Sequence, residues 1–270
     1  MDYKEIENLE PMSKLWTKEK YTDDNISYII NNTIIEYDMK SAGLNMTKEF
    51  NLLPDKDRYL IERWEQMPKK QRNVAIGVYE RDHPEFKKAK NASFARARRL
   101  FFIANNIEEH EVLSIKKDAI FLLREADNLE FGAIKFVPKN EYTDYIILNG
   151  IEVYYDKGRI DIKGIGDDIL YRHRNGWLSA LAYIFNKMKL TNGKEEVALF
   201  LKDLMYEYKT LDLPIDFYRE FNKSSTYLSN LIFNGKAVEY MDLPEEVTIY
   251  DLNINYNLVS VLIPLINIVL

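Results

Sequence analysis

The order in which apolar patterns follow one another constrains the fold of this chain more than any other feature. A β-rich run, TIIEYD, predicts a buried strand that closes at Asp38. Helical spacing follows over 58–105, and residues 111–124 then form two apolar runs around a polar centre, which predicts a β-hairpin. Two or three more short strands are predicted over 132–165, before helical spacing returns at 168. Because strands and helices do not alternate regularly, the sequence predicts an α+β fold rather than a doubly wound parallel sheet.

Individual helices are predicted from the spacing of apolar residues and from boundary signals such as Pro84. The polar residues 1–27 predict an N-terminal arm with at most a short helix, whereas residues 247–270 have the pattern of extended segments. The predicted helical segments cover residues 41–50, 58–66, 71–79, 86–105, 168–208 and 216–232.

The chain has no cysteine among its 270 residues, which excludes a disulfide framework, a thiolate zinc site and a cysteine nucleophile. Together with the charged N-terminal sequence, this predicts a cytoplasmic protein without a secretory signal, in the host cytoplasm if a phage encodes it. The longest apolar run, 258–270, contains Pro264 and Asn267 and is shorter than the roughly 20 residues of a membrane-spanning helix. We therefore expect no membrane partner, and the run predicts a buried strand, a protein partner or self-association.

Charge is distributed unevenly along the chain. The formal net charge of −6 does not favour nucleic-acid binding, since domains that bind nucleic acids usually carry a positive excess. Neither of the common glycine-rich phosphate-binding motifs occurs. Residues 87–99 nevertheless contain six basic residues and no acid, which predicts a local positive stripe on a helix.

Two aspartates stand where carboxylates can act together. Asp38 closes the buried strand, and Asp118 lies in the turn of the predicted hairpin beside Lys116 and Lys117. Two carboxylates on adjacent strands can hold two Mg²⁺ ions that activate a 3′-hydroxyl and neutralise a triphosphate. Asp is also common at strand ends as a turn former, so the spacing alone favours a structural role.

The sequence around these aspartates resembles the family B DNA polymerases at four places in the same order. Residues 38–45, DMKSAGLN, resemble motif A, D-x-x-S-L-Y-P-S, and residues 87–95, KKAKNASFA, resemble motif B, K-x-x-x-N-S-x-Y-G. Residues 114–121, SIKKDAIF, are similar to motif C, Y-G-D-T-D-S-I-F. Residues 139–142, KNEY, and 162–165, IKGI, resemble the later K-K-x-Y and K-G-I segments. The collinear order of the four segments carries the resemblance.

The resemblance implies an architecture. It implies a polymerase-like palm, which is an antiparallel sheet with helices, over 28–165, with short helical fingers inserted at about 47–105. Residues 166–270 would form a small, mainly helical thumb, and 1–27 an arm. We expect no exonuclease domain, because only 37 residues precede Asp38.

The resemblance also implies a reaction and the residues that carry it. It implies nucleotidyl transfer from a (d)NTP to the 3′ end of a primer–template, with Mg²⁺ or Mn²⁺ as the cofactor. Asp38 and Asp118 would be the catalytic metal ligands, assisted by the Met39 carbonyl. The nucleotide-binding residues implied in this way are Lys87, at the triphosphate, and Ser41, Gly43, Asn91 and Phe94, around the nucleotide. The implied nucleic-acid contacts are Lys139, Tyr142, Lys163 and Arg98.

The sequence departs from the polymerase motifs at three positions. Lys116 replaces the first acid of motif C, so that positive charge lies beside the predicted metals, and Glu36 would supply a compensating carboxylate. Ala95 replaces the glycine of motif B. Gly43 replaces the tyrosine that, by resemblance, excludes the ribose 2′-hydroxyl. This replacement predicts either tolerance of ribonucleotides or a nucleotide pocket that no longer works.

Two other interpretations remain open from the sequence. The chain would be a catalytically degenerate polymerase fold that serves as a nucleic-acid-binding or protein-binding module in phage or mobile-element replication or defence. Alternatively, it would be a structural or interaction protein that uses its apolar tail, 259–270, as a subunit contact. Metal dependence separates the polymerase from the degenerate module.

Overall fold

The computed structural model of the protein has an α+β fold with antiparallel strand pairs, as the sequence predicts. Its described residues fall into two units. The first unit draws on residues 1–24 and 33–141, and the second unit on 25–32 and 142–270. The residues that the structure describes are 18–148, 151–157, 159–164, 184–191, 193–210, 212–213, 231–233, 236–238 and 252–254.

The described strands form three sheets. The strands are β1 (Lys20–Thr22), β2 (Tyr28–Ile29), β3 (Ile34–Met39), β4 (Val112–Lys116), β5 (Ala119–Leu122), β6 (Glu130–Phe131), β7 (Ile134–Tyr142), β8 (Asp144–Leu148), β9 (Ile151–Asp156), β10 (Arg159–Lys163), β11 (Leu231–Phe233), β12 (Lys236–Val238) and β13 (Leu252–Ile254). The first unit contains a six-stranded sheet in the order β1-β4-β5-β3-β7-β6. The second unit contains two sheets, in the orders β10-β9-β8-β2 and β12-β11-β13.

Four helices of the first unit confirm the helical predictions to within a few residues. Helix α4 takes Pro84 as its first residue, where a missing backbone N–H leaves no hydrogen bond unmade. No described helix combines the length and the apolar character needed to cross a membrane. The described helices are α1 (Ala42–Glu49), α2 (Tyr59–Glu65), α3 (Lys69–Asp82), α4 (Pro84–Ala104) and, in the second unit, α5 (Lys194–Thr210).

Helix α4 and the first-unit sheet share the main hydrophobic core. Phe94, Ala97 and Phe101 of α4 recur at helical spacing and are buried. The Phe101 ring stacks on Phe136 of β7 with centroids 4.3 Å apart, and it meets Tyr37 of β3 at 5.4 Å. This packing fixes α4 against β3, the strand that carries Asp38.

A second apolar cluster holds helices α1 to α4 together. Trp64 of α2 packs edge-to-face on Tyr79 of α3 with centroids 5.7 Å apart, and Tyr79 meets Phe86 of α4 in the same way at 5.0 Å. The Tyr79 hydroxyl donates to Asp57 at 2.8 Å. Burial, helped by this bond, raises the pKa of Tyr79 to about 12. The helices therefore form one packed group, on which the orientation of α3 depends.

The prediction of an N-terminal arm is wrong for its described part. Lys20–Thr22 is strand β1, and it pairs with β4 so that Lys20 lies opposite Lys116. A strand of three residues is too short to reveal alternation, so the sequence pattern missed it. The segment 26–37 is also divided, because β2 and β3 belong to different sheets.

The later strands differ from the predictions in number and grouping. Four strands, β7 to β10, lie where two or three were expected. The predicted palm covered residues 28–165. Residues from Tyr142 onward instead belong to the second unit, because β8 to β10 pair with one another and with β2. Strand β11 occupies the end of the predicted helix 216–232, and β13 confirms an extended segment within 247–270. The predicted helical residues 168–183 and 216–230 and the apolar run 258–270 lie outside the described residues.

Buried polar side chains organise the four-stranded sheet of the second unit. Asp144 of β8 is fully buried. Its Oδ2 lies 2.7 Å from Lys189 Nζ, and its Oδ1 accepts the main-chain N–H of Asn31 at 3.0 Å. The hydroxyl of the buried Tyr142 donates to Asp161. The Asp144 carboxylate and the Tyr142 hydroxyl thus have partners that offset their desolvation.

We expect Phe101→Ala to lower the free energy of unfolding by about 3–5 kcal/mol, because the substitution leaves a cavity between α4 and the sheet. Chemical denaturation of the full chain measures the loss. The control is Val74→Ala on α3, whose side chain is 62% exposed and whose loss should stay within about 0.5 kcal/mol. Equal losses in the two variants would contradict the assignment of Phe101 to the core.

Candidate active site

The two predicted aspartates are neighbours at one end of the first-unit sheet. In the antiparallel pair of β3 and β5, Asp38 lies opposite Ala119, and the main-chain N–H of Met39 donates to the Asp118 carbonyl at 3.1 Å. Only Lys117 and Asp118 separate β4 from β5, so the hairpin and its polar turn are confirmed. Lys117 has a φ of 57°, the left-handed conformation that tight hairpin turns require. The turn therefore holds Asp118 beside the end of β3.

Arg98 of α4 supports this turn from within the core. Its side chain is fully buried and donates to the Lys117 carbonyl at 2.5 Å and to the Lys18 carbonyl at 2.7 Å. Burial lowers the pKa of Arg98 to about 10, against the opposing charges of Glu19 and Asp118. The implied contact between Arg98 and nucleic acid is thereby corrected, because the guanidinium is enclosed by the protein and already engaged.

A cavity of about 240 Å³ lies where β3, the β4–β5 turn and helices α1, α3 and α4 meet. We call it the carboxylate cavity, because both predicted aspartates line it. Helix α3 contributes four residues at helical spacing, which the sequence motifs did not indicate. The lining residues are Asp38, Met39, Ser41, Ala42, Gly43, Lys69, Asn73, Ile76, Glu80, Lys90, Phe94, Lys117 and Asp118.

Three lysines line the carboxylate cavity. Lys90 is largely buried and forms an ion pair with Glu80. Lys117 Nζ lies 5.2 Å from the centroid of the Phe94 ring, within the range of a cation–π contact. Lys69, at the start of α3, is exposed. The cavity therefore contains one lysine over an aromatic ring, one in an ion pair with Glu80 and one that is exposed.

Lys87 and Asn91, which the motif B resemblance implies, do not line this cavity. Lys87 lies two turns before Phe94 along α4, about 10 Å away along the axis, and its side chain is exposed. Asn91 follows Lys90 directly, so its side chain projects about 100° further around the helix axis. Phe94 lines the carboxylate cavity, and Lys90, one turn before it, is the lysine of α4 that also lines it. Lys90 precedes Phe94 by four residues, and this spacing, which puts two side chains on one face of a helix, is the sequence signal that could have identified it.

Ser41 and Gly43 both line the carboxylate cavity, at the start of α1. Ser41 has a φ of 50°, and its Oγ accepts a hydrogen bond from Arg72 at 2.9 Å. A Cβ on Gly43 would lie 3.6 Å from Ile76 Cδ1, which is an ordinary contact. Alanine therefore fits at this position, but an aromatic ring would have to displace Ile76. The space that a motif A tyrosine would fill is thus bounded by α3.

Lys139 is paired with carboxylates of β3. Glu36 and Asp38 lie two residues apart and so share one face of the strand. Lys139 Nζ lies 3.2 Å from Glu36 Oε1 and 3.7 Å from Asp38 Oδ2. Asn140 also donates to Glu36, which is almost fully buried. Glu36 is therefore engaged by Lys139 and Asn140, rather than lining the cavity as an additional carboxylate.

The charges around Asp38 change its acidity. Burial raises the pKa of Asp38 above its ordinary value, and Asp118 and Glu36 act in the same direction, while Lys139 and Lys69 oppose them. Burial alone would lower the pKa of Lys139, but Glu36 and Asp38 outweigh burial and raise it. Asp38 therefore holds a proton more readily than an exposed aspartate, whereas Lys139 stays charged.

The other predicted residues lie outside the cavity. Lys116 is on β4, and its Nζ donates to the Thr22 hydroxyl at 3.2 Å, so Lys117 alone of the two adjacent lysines lines the cavity. Tyr142 and Lys163 belong to the second unit. Tyr142 is fully buried and bonded to Asp161, which corrects the implied contact of its side chain with nucleic acid.

The oxygen donors at the carboxylate cavity suit a hard divalent cation. Asp38 and Asp118 supply carboxylates and Met39 a main-chain carbonyl, which are the ligand types that Mg²⁺ and Mn²⁺ prefer. Within the described residues, no three carboxylate, histidine or cysteine side chains converge on one point. A cation held by these two carboxylates would have to complete its coordination with water or with oxygens of a bound phosphate.

These features define an α+β protein with a polar cavity lined by two adjacent aspartates and three lysines. The family model described as Bacteriophage PBS1 gene 130 protein matches residues 12–270. The chain belongs to this family of phage proteins. No curated protein matches the chain.

Among solved structures, the chain is similar to the family B DNA polymerase from the hyperthermophilic archaeon Pyrobaculum calidifontis. The match has a TM-score of 0.42 and 12% sequence identity, and it covers 94% of this chain and 48% of that chain. The chain thus spans about half the length of this polymerase, and the structural resemblance is distant. The division into palm, fingers and thumb stays a prediction.

We expect Arg98→Ala to destabilise the protein by on the order of 3 kcal/mol, because two carbonyls lose a charged donor. Chemical denaturation measures this loss. The control is Arg81→Ala on α3. The exposed side chain of Arg81 forms an ion pair with the adjacent Asp82, and its removal should change stability by about 0.5 kcal/mol or less. A loss for Arg98→Ala as small as that of the control would contradict the supporting role.

The raised pKa of Asp38 predicts that Asp38→Asn stabilises the protein at neutral pH. Between the ordinary and the raised pKa, the folded state binds more protons than the unfolded state, so wild-type stability falls as the pH rises through this window. Asn does not titrate, so the melting temperature of the variant should exceed that of the wild type at pH 7. This advantage should shrink as the pH falls towards about 4. Asp127→Asn, at an exposed position, is the control, and a pH-independent difference for Asp38→Asn would contradict the prediction.

Proposed function

We propose that the first unit binds a nucleoside triphosphate with a divalent cation at the carboxylate cavity and transfers its nucleotidyl group to the 3′-hydroxyl of a nucleic-acid primer. The observation that carries the proposal is the juxtaposition of Asp38 and Asp118 in one cavity with Lys69, Lys90 and Lys117. Carboxylates alone would repel a triphosphate, and lysines alone would repel a metal ion. A cavity that has both suits a ligand made of a cation and a polyphosphate.

The motif resemblance agrees with this chemistry at the residues that the cavity brings together. Asp38, Ser41 and Gly43 come from the segment that resembles motif A, Phe94 from the segment that resembles motif B, and Asp118 from the segment that resembles motif C. These three segments are separated by about 40 and 20 residues of sequence. Their meeting in one cavity supports the proposal more strongly than any single motif.

The protein side chains would divide the work of the transfer. Asp38 and Asp118 would hold the metal ion, which when bound supplies charge neutralisation and activates a hydroxyl group for attack. The primer O3′ bonds to the α-phosphorus, the bond from that phosphorus to the pyrophosphate oxygen breaks, and the hydroxyl proton leaves to a base. Lys90 and Lys117 would balance the negative charge on the phosphates.

The sugar and base would lie against the apolar part of the cavity. The Phe94 ring is 4% exposed, so it would form part of the apolar wall of the cavity rather than a free stacking surface. Gly43 leaves the main chain accessible, and the nearest side-chain atoms belong to Ile76. Because no ring projects from position 43, we propose that the site accepts ribonucleotides as well as deoxyribonucleotides.

A second function, nucleotide or nucleic-acid binding without transfer, is favoured by one observation. Lys139 lies 3.7 Å from Asp38 and carries a charge that competes with a metal ion for this carboxylate. In this alternative the cavity still binds phosphate through its lysines, but Asp38 remains paired with Lys139. The two functions differ in whether the carboxylates are needed for a chemical step.

Primer extension distinguishes the two functions. We expect the full chain to extend a labelled primer–template with Mg²⁺ or Mn²⁺, using dNTPs and NTPs in parallel reactions. Asp38→Asn and Asp118→Asn should each reduce the rate on the order of 10³-fold, since a bound cation contributes several kcal/mol to such a transfer. Asp127→Asn is the matched control and should extend the primer at the wild-type rate.

The other outcomes have distinct meanings. Nucleotide binding without extension by the wild type, unchanged in the two aspartate variants, would replace the transferase by the binding function. Extension that survives both aspartate substitutions would reject the carboxylate cavity as the site of the reaction. A wild type that neither extends a primer nor binds a nucleotide would reject both functions.

A further inference from the structure

A second polar cavity, of about 320 Å³, shares one residue with the carboxylate cavity. Ser41 lines both of them. We call the second cavity the basic cleft, because four of the residues that line it are lysine or arginine and one is an acid. The residues of the basic cleft are Lys40, Ser41, Leu44, Asn45, Lys48, Glu65, Arg72, Ala133 and Lys135.

The main chain of the cleft is fixed by hydrogen bonds. The N–H of Lys40 donates to the Lys135 carbonyl at 2.8 Å, which ties the end of β3 to β7. Asn45 Nδ2 donates to the Lys40 carbonyl at 2.6 Å. Arg72 of α3 donates to Ser41 Oγ at 2.9 Å. The basic side chains of the cleft are therefore attached to main-chain positions that hydrogen bonds fix on several different elements.

Two lysines of the cleft are held only by exposed ion pairs. Lys48 Nζ lies 2.7 Å from Glu65, and Lys135 Nζ lies 2.7 Å from Glu130, with every one of these side chains at least 42% exposed. Exposed pairs of this kind contribute about 0–1 kcal/mol, so an incoming phosphate can replace either carboxylate at little cost. Arg72 adds a planar guanidinium that has further N–H donors beyond the bond to Ser41.

Helix α1 reinforces the positive charge of the cleft. Its first turn contains no acidic residue, and the side chain of Ser41 makes no capping hydrogen bond to it. The positive end of the α1 dipole is thus not neutralised by a side chain of the helix itself. In a protein with a net charge of −6, the cleft is a local concentration of positive charge.

We infer that the basic cleft binds phosphodiester groups of a nucleic-acid strand. The cations are spread over β3, α1, α3 and β7, so they suit successive phosphates of a strand better than one compact anion. The inference goes beyond the proposed transfer, because the cleft would bind a strand whether or not the carboxylate cavity is catalytic. A strand in the cleft would also lie beside Ser41 and hence next to the nucleotide cavity.

The salt dependence of binding to a labelled single-stranded oligonucleotide tests this inference. Fluorescence anisotropy with the full chain gives the dissociation constant at several salt concentrations. Each phosphate contact contributes about 0.7 to the slope of log affinity against log salt for a single strand. Lys40→Ala combined with Lys135→Ala should therefore lower the slope by about 1.4 and weaken binding about tenfold or more.

Matched controls make the result specific to the cleft. Lys56→Ala combined with Lys70→Ala removes two exposed lysines of the same unit that do not line the cleft, and it should leave the affinity within about twofold. Oligonucleotide binding is measured without a nucleoside triphosphate or a divalent cation, so failure of the cleft and failure of the transferase are distinguishable. Circular dichroism of every variant checks that the fold is retained.

Two results would overturn the inference. They are an equal loss of slope in the two double variants, and no binding of the oligonucleotide by the wild type at low salt.

Discussion

The buried guanidinium of Arg98 is the interaction on which the first unit depends. It connects the core helix α4 to the β4–β5 turn and to the chain that leads into β1, through the carbonyls of Lys117 and Lys18. Burying a cation is unfavourable unless hydrogen bonds compensate, and the lowered pKa of Arg98 reflects that penalty. In return, Arg98 fixes the position of the turn that carries Asp118, because it attaches this turn to the helix that carries Phe94 and Lys90. One side chain therefore sets the geometry of two walls of the carboxylate cavity.

The carboxylate cavity keeps charges of both signs close together at the expense of local stability. Asp38 is partly buried near two other carboxylates, and Lys139 offsets only part of their repulsion. Lys117 adopts a left-handed backbone conformation beside Asp118, and Ser41 does the same at the start of α1. Like charges that are gathered around one cavity are more typical of functional sites than of structural turns.

Periodicity in the sequence was enough to predict most elements of the first unit. The hairpin around Asp118 was predictable because its two apolar runs flank a polar centre, and α4 because Pro84 precedes a long amphipathic pattern. Strand β1 was not, because three residues cannot show alternation. The sequence also could not predict that Tyr142 belongs to the second unit, because this depends on the pairing of strands that are distant in sequence and not on the local pattern.

The candidate site was predictable at its carboxylates but less so at its cations. The sequence of the stripe 87–99 predicts a solvated basic face, but two of its residues are buried. Lys90 forms an ion pair, and Arg98 donates to the carbonyl of Lys117 in the β4–β5 turn. Composition does not reveal such burial, because the acceptors belong to other elements of the fold, namely Glu80 of α3 for Lys90 and the Lys117 and Lys18 carbonyls for Arg98. The contribution of α3 was missed for the same reason: its spacing marks a helix, and only tertiary packing turns that helix towards the aspartates.

The six-stranded sheet ends in very short strands. In the described part of the chain, its edges are β1, with three residues, and β6, with two. Lys20 and Glu130 put exposed charges on these edges. Long, flat, apolar edges invite another chain to add a strand, whereas short charged ones discourage it. The central strands β3 and β5, whose residues are almost all buried, are thus shielded from pairing with strands of another chain.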